Sequence, residues 1–211
     1  MGTAERRERE KTERRRNILT AARKLFWKNG FASTTVPAIA AAAELAPGTL
    51  YLYFPSKEAL YVELLIEGYV PLLESLRAAA ASDPDPRKQA EALVDAFTGF
   101  ARQSPEYFDI IFFVLQRDAV GPHDTISDRD QIRRLTAQEE ACKQAAADVL
   151  RRLRPDLHAD RLQLILEAVW SMLVGVVFYF RRDGRERFQA VAEEAKRMIL
   201  AAVMRSSPPV S

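Results

Sequence analysis

Between Ser33 and Lys57 the sequence gathers residues suited to touching a polyanion. Thr35, Thr49, Tyr51 and Tyr53 carry hydroxyls, Lys57 carries an ammonium, and Ala46, Pro47 and Gly48 are small. A threonine hydroxyl can bond a base or phosphate oxygen, and its methyl can meet a thymine methyl. Most protein–DNA hydrogen bonds go to phosphate and sugar, so a hydroxyl-rich edge fits that partner. Unpaired N–H groups at a helix start also suit phosphate, because the dipole is positive there. Thr49 is therefore the expected base reader. Thr35, Tyr51, Tyr53 and Lys57 are the expected phosphate contacts, and Ala46, Pro47 and Gly48 form an edge that lets the backbone sink into the major groove. The bland reading makes Tyr51 and Tyr53 half-buried core aromatics.

These residues need a scaffold. Ile18, Leu19, Ala22, Leu25 and Phe26 repeat at helical spacing and predict a helix from about Glu13 to Asn29, stopped by Gly30. Thr34 or Thr35 caps a short helix over about 36–43, with Val36, Ile39, Ala40 and Ala43 inward. A third helix over about 47–54 buries Leu50, and Ser56 caps a fourth that runs to the Leu76 region. Two short helices joined by about three residues and braced by a third make a helix-turn-helix.

The second half continues as helices, so the expected fold is all-α, with about nine helices in all. Asp83-Pro84-Asp85-Pro86 starts one to about Gln103, and others are expected at about 107–116, 127–153, 159–182 and 185–204. The expected divisions are a disordered charged arm at 1–16, a DNA-binding domain at 17–62, a larger helical domain at 63–205 and a tail at 206–211. Arms such as 1–16 can touch phosphates, although the glutamates here dilute the charge.

The net charge of +2 hides an asymmetry. Residues 1–57 hold 11 Lys and Arg against 5 acids, or +6, whereas residues 58–211 hold 20 against 24, or −4. A basic end on an acidic body points to a polyanion partner for the N-terminal part alone. Cys142 is the only cysteine, which rules out an internal disulfide and argues against a cysteine zinc site. His123 and His158 are the only histidines and neither has a metal-ligand partner at the right spacing, so no metal and no cofactor are expected. No nucleophile motif, phosphate-binding glycine loop or dinucleotide fingerprint is present, which argues against an enzyme. The charged start lacks a hydrophobic signal core, so a reducing cytoplasm is the expected location.

Three segments together resemble the TetR family of bacterial transcriptional regulators: A-A-x-x-L-F-x-x-x-G-F over Ala21 to Phe31, T-T-V-x-x-I-A over Thr34 to Ala40, and P-G-T-L-Y-x-Y-F with S-K-E-A-L over Pro47 to Leu60. The resemblance covers about Ile18 to Leu64. It implies that Thr35, Pro47, Gly48, Thr49, Tyr51, Tyr53 and Lys57 meet DNA, that the last two helices form a four-helix dimer interface, and that the larger domain holds a ligand pocket. Two departures from the pattern matter. Glu44 stands where the family very often has the turn glycine, which predicts a slightly strained turn. Pro37 and Ala38 stand where some relatives read a base, which leaves specificity mainly to the third helix.

Leu162 to Phe180 is a nearly continuous apolar run, and a membrane span is its competing reading. Glu167, Gln163 and Ser171 interrupt it. Read as a buried helix, one face meets its own domain while Leu164, Ala168, Ser171, Gly175 and Phe178 meet a twin, with Val191 and Met198 added by the final helix. Such a homodimer would read a palindrome with half-sites about 34–36 Å apart or a multiple of that. The pocket implied by the resemblance would draw on the aromatics Phe97, Phe100, Phe108, Phe112 and Trp170. Gln116, Arg117, His123 and Glu167 could orient an apolar or aromatic small molecule there. The expected function is a ligand-released repressor, and the rival is a DNA-independent helical interaction protein.

Overall fold

The structure, a computed structural model, describes residues 2–113 and 128–204. Among these, every regular element is an α-helix: α1 (Thr3–Asn29), α2 (Val36–Ala42), α3 (Pro47–Tyr51), α4 (Lys57–Ala80), α5 (Pro86–Gln103), α6 (Pro105–Phe112), α7 (Arg129–Leu153), α8 (Ala159–Phe180) and α9 (Arg185–Met204). The expected orienting residues Gln116, Arg117 and His123, and the 206–211 tail, lie outside the described residues.

The first helix starts well before Glu13, so the charged arm is helical from Thr3 onward rather than disordered. Arg, Lys, Glu and Ala are strong helix formers and suffice without a buried face. The Glu5 carboxylate accepts the Gly2 N–H at 3.0 Å and Arg6 pairs with Glu10 at 2.9 Å, closing the first turns. Apolar periodicity misses such a segment because residues 4–14 all stay exposed. At the other end Gly30 has φ +82° and donates to the Phe26 carbonyl at 2.9 Å, ending the helix as expected.

The chain forms two compact units, and the boundary is not a single cut near residue 62. The first unit contains Met1–Tyr69 and Pro105–Ala137. Ile18, Ala22 and Phe26 of α1, Ile39 and Ala40 of α2, Leu50 of α3 and Leu60 and Leu64 of α4 are all fully buried there. Phe26 and Phe31 pack tilted on each other and edge-on to Tyr61, with centroids 5.2–5.5 Å apart. Polar straps fasten α6 to this core. Trp27 donates to the Asp109 carboxylate at 2.8 Å, Arg23 pairs with Glu106 at 2.9 Å and donates to the Tyr107 hydroxyl, and the Tyr61 hydroxyl donates to the Ile110 carbonyl. A Cβ on Gly68 would lie 3.0 Å from the Tyr107 ring and 3.2 Å from Ile111, so glycine lets α4 pack closely on α6 there.

The second unit contains Val70–Ser104 and Gln138–Ser211. Leu72, Leu76, Phe97, Val149 and Val177 build its interior. Lys196 of α9 bonds Asp95 of α5 at 2.9 Å, and Arg152 of α7 donates to Gln89 of α5 at 2.6 Å. The buried Arg154 guanidinium takes both Asp156 oxygens and donates to the Val203 carbonyl at 2.9 Å, satisfying an acceptor in the last turn of α9. Cys142 is buried here, and burial pushes its thiol up to about 12, which leaves it inert near neutral pH.

Candidate nucleic-acid interface

Thr35 caps α2: its hydroxyl accepts the Ala38 N–H at 3.3 Å, with Pro37 in the first turn where its missing N–H costs nothing. The same hydroxyl stays exposed and keeps a lone pair and a proton for an outside partner. The end of α2 is closed by two backbone bonds, Leu45 N–H to Ala40 at 2.9 Å and Glu44 N–H to Ala41 at 3.1 Å. This is a Schellman stop, and it requires a left-handed residue between the helices. Glu44 supplies it at φ +58°, and among the described residues it is the one non-glycine with positive φ. The strain anticipated at this position is therefore present.

Ala46, extended at φ −69° and ψ 144°, leads into Pro47 at the first position of α3. Ala46, Pro47 and Gly48 are all exposed, as is Tyr51 at 51 %, while Thr49 and Tyr53 are half-buried and Leu50 is sealed in the core. The core-aromatic reading of Tyr51 thus fails on exposure, and Tyr53 is intermediate. A Cβ built on Gly48 meets nothing within 4 Å, so no neighbour in its own chain demands glycine at that point. Glycine is less favourable than alanine in a helix, by up to about 1 kcal/mol in the interior and by less in the first turn, where Gly48 stands.

Lys57 sits differently from a free surface cation. Its ammonium donates to the carbonyls of Phe31 at 2.9 Å and Thr34 at 3.0 Å, and lies 4.2 Å from the Phe31 ring centroid. Two of its three protons are spent fixing the loop before α2, leaving one for phosphate. Arg15, which sequence patterning does not single out, stacks 4.7 Å over the Phe54 ring and pairs with Glu63 at 3.1 Å. Glu63 also takes Arg134 at 3.1 Å. Burial alone would raise the Glu63 carboxyl, but the Arg134 hydrogen bond and the charges of Arg15 and Arg134 outweigh it and hold the group below its ordinary value.

In the second unit a cavity of about 630 Å³ lies among α4, α5, α7, α8 and α9. That volume is within the range of small-molecule sites. Three of the expected ligand residues line it, namely Phe97, Trp170 and Glu167, with the two rings edge-on at 4.9 Å. Three do not. Phe100 is buried in the second unit but outside the lining. Phe108 and Phe112 belong to the first unit, where they pack on each other at 4.6 Å and on Phe113 as ordinary core. Aromatics at helical spacing do not by themselves distinguish core from cavity. Lys143, Gln144 and Arg151 of α7 also line the cavity, and in sequence they read as a solvated helix face.

α8 has a mean hydropathy of 1.8, enough with its length to cross a membrane, yet only 22 % of its apolar window is buried. Leu164 and Phe178 are more than half exposed, Ala168 and Ser171 are exposed, and Gly175 is half-buried. On α9 Met198 is exposed and Val191 half-buried. Met172 and Tyr179 extend the bare apolar surface of α8 beyond the expected stripe. As with Gly48, a Cβ on Gly175 meets nothing within 4 Å.

Residues 18–64 match the sequence profile of "Bacterial regulatory proteins, tetR family". The HTH-type transcriptional activator FasR of Mycolicibacterium smegmatis is 26 % identical over 82 % of this chain and 74 % of its own length. The HTH-type transcriptional repressor KstR2 of Rhodococcus jostii is 40 % identical over 84 residues, which is 40 % of this chain and only 41 % of that protein. The crystal structure of a TetR-family transcriptional regulator from Bordetella parapertussis superimposes with a TM-score of 0.71 over 92 % of this chain and 98 % of that one, at 24 % identity. That likeness establishes the fold.

Proposed function

Because the chain belongs to the TetR family of transcriptional regulators, we propose that it acts as a homodimeric repressor that holds a palindromic operator and releases it when an apolar or aromatic small molecule enters its second unit. It is a regulator and not an enzyme. The observation that carries the DNA assignment is Gly48, an exposed helical glycine with open space where a side chain would stand. The fold loses helix stability by having it and gains no packing in return, which is explained when the gain is made against another molecule. The flanking hydroxyls of Thr35, Thr49, Tyr51 and Tyr53 then supply bonds to base edges and phosphates.

One headpiece covers too few base pairs for specific binding, so two must act together. The bare apolar face of α8 with Met198 of α9 supports a twin as its cover, which makes lipid unnecessary, and a site of action beside cytoplasmic DNA follows. The cavity with Phe97 and Trp170 supports an apolar or aromatic effector, oriented by Glu167. Release then works by population shift: moving the equilibrium from 1:99 to 99:1 needs about 5.5 kcal/mol of differential binding. By linkage, DNA weakens the effector by the same factor. FasR and KstR2 carry opposite signs of regulation, and a transcription reporter read with and without the protein decides the repressor assignment.

The test is a gel-shift series on the DNA upstream of the protein's own gene, with Gly48→Ala beside the parent chain. The variant is expected to be at least as stable as the parent and to bind more weakly. Equal binding removes Gly48 from the interface, and a parent chain with no salt-dependent affinity returns the protein to the interaction-scaffold reading. An effector, found by thermal shift, that tightens the complex overturns ligand release and makes the small molecule a co-regulator of binding.

A further inference from the structure

The helical arm at the start of α1 has one face without acids. Around the helix, at 3.6 residues per turn, Arg7, Lys11 and Arg14 fall on a single stripe about a sixth of the circumference wide. Glu5, Glu8, Glu10 and Glu13 all lie outside it, and Arg6, Arg9 and Arg16 share their side of the helix with Glu5, Glu10 and Glu13. Arg7, Lys11 and Arg14 are exposed, and none of them is ion-paired with a described residue, whereas Arg6 is paired to Glu10 and Arg15 to Glu63. The ordinary explanation of a charged exposed helix, alternating i,i+4 pairs in water, accounts for the mixed side but not for this stripe.

Its direction is informative. Continued along α1, the stripe runs into Ile18 and Ala22, which are fully buried in the first unit. The basic side chains therefore face the side on which the DNA-binding core lies, not the opposite side. The root of the arm is fixed beside the expected phosphate contacts, because Arg15 stacks on Phe54, the residue next to Tyr53. From Arg7 to Arg14 the helix rises about 10 Å. That spans roughly three phosphate-to-phosphate steps of one strand, at about 3.4 Å of axis each.

We propose that residues 3–16 are a second DNA-contacting element, in which Arg7, Lys11 and Arg14 donate to backbone phosphates beside the helix-turn-helix. The inference rests on the DNA-binding reading above and adds a sequence-independent grip to it. Phosphate contacts position a protein and carry no base information, so the arm raises affinity for every duplex alike.

The experiment needs no known operator. Binding of the full chain to a mixed-sequence 40-base-pair duplex is followed by fluorescence anisotropy from low to high salt. The triple variant Arg7→Gln, Lys11→Gln, Arg14→Gln should lower the slope of log affinity against log salt by about 0.9 for each phosphate no longer neutralised, with roughly tenfold weaker binding at low salt. Arg6→Gln, Arg9→Gln, Arg16→Gln removes the same charge from the mixed side and should leave the slope near that of the parent. Arg7→Lys with Arg14→Lys keeps the charges and the slope, which separates charge from any loss of helix. Equal weakening in both triple variants, or none in the first, overturns the arm while leaving the DNA reading in place. A parent chain without salt-dependent binding overturns both.

Discussion

The ammonium of Lys57 lies 2.9 Å from the carbonyl oxygen of Phe31 and 4.2 Å from the centre of the same residue's ring. One cation thereby satisfies a backbone acceptor and covers an aromatic face at the start of the recognition unit. Lys57→Met keeps the apolar stem and removes the charge. It is expected to lower stability by about 1–2 kcal/mol, read by urea denaturation, because the carbonyls of Phe31 and Thr34 lose a charged donor. DNA affinity should fall by the same factor for every sequence. Loss of affinity at unchanged stability would mean that the internal bonds contribute nothing and that phosphate is its main partner.

Glu44 holds the turn between α2 and α3 at φ +58°. A side chain in that region costs about 1–2 kcal/mol, part of which glycine returns as chain entropy. Glu44→Gly should therefore stabilise the protein by about 0.5–1 kcal/mol, and Glu44→Val should destabilise it, since a β-branched residue tolerates positive φ poorly. Thermal midpoints measured side by side decide it. A less stable glycine variant would show that Glu44 makes a compensating contact.

How much of this was legible in the sequence depends on whether a residue acts through its neighbours in the chain. The buried face of α1 at Ile18, Ala22 and Phe26, the stop at Gly30 and the α2–α3 turn follow from local spacing and backbone chemistry, and all can be read there. The arm could not, because its helix rests on propensity and charge pairing without an apolar stripe. Phe108 and Phe112 read the same as Phe97, yet α6 packs into the first unit and Phe97 faces the cavity of the second. That difference is set by long-range packing. Lys143 and Gln144 were hidden for the opposite reason, as polar residues on an amphipathic helix look solvated until the neighbouring helices are placed.

Glu63 joins α1 and α7 to α4 through Arg15 and Arg134, each at 3.1 Å. Its carboxyl is held below the ordinary 4.5 in the folded chain. A lowered folded value means that the stabilisation is complete above pH 4.5 and is lost as pH falls through the folded value. Glu63→Gln should cost about 1–2 kcal/mol at pH 7, discounted because both arginines are partly exposed. The gap between variant and parent should narrow as pH falls below 4.5 and through the lowered folded value. A gap that stays constant from pH 7 to pH 3 would assign the loss to packing and not to charge.

Gly175 offers the clearest test of the dimer. It lies on α8 in line with Leu164, Ala168, Ser171 and Phe178, and a Cβ there meets nothing within 4 Å in its own chain. Gly175→Trp should therefore leave the protomer folded, with helix content by circular dichroism unchanged or slightly higher, since glycine is the poorer helix former. Against a twin, the same indole would occupy the space that glycine leaves for close helix approach. Sedimentation at micromolar concentration should then show a monomer of about half the parent's mass. DNA affinity should fall steeply, because one headpiece reads only one half-site. Leu164→Glu approaches the same face without adding bulk, placing a charge at a site already 56 % exposed in the single chain. It should be tolerated by the protomer and resisted by the dimer, where burying an unpaired carboxylate is costly. If both variants remain dimeric with unchanged DNA affinity, this face of α8 does not meet a twin and its apolar surface needs another cover.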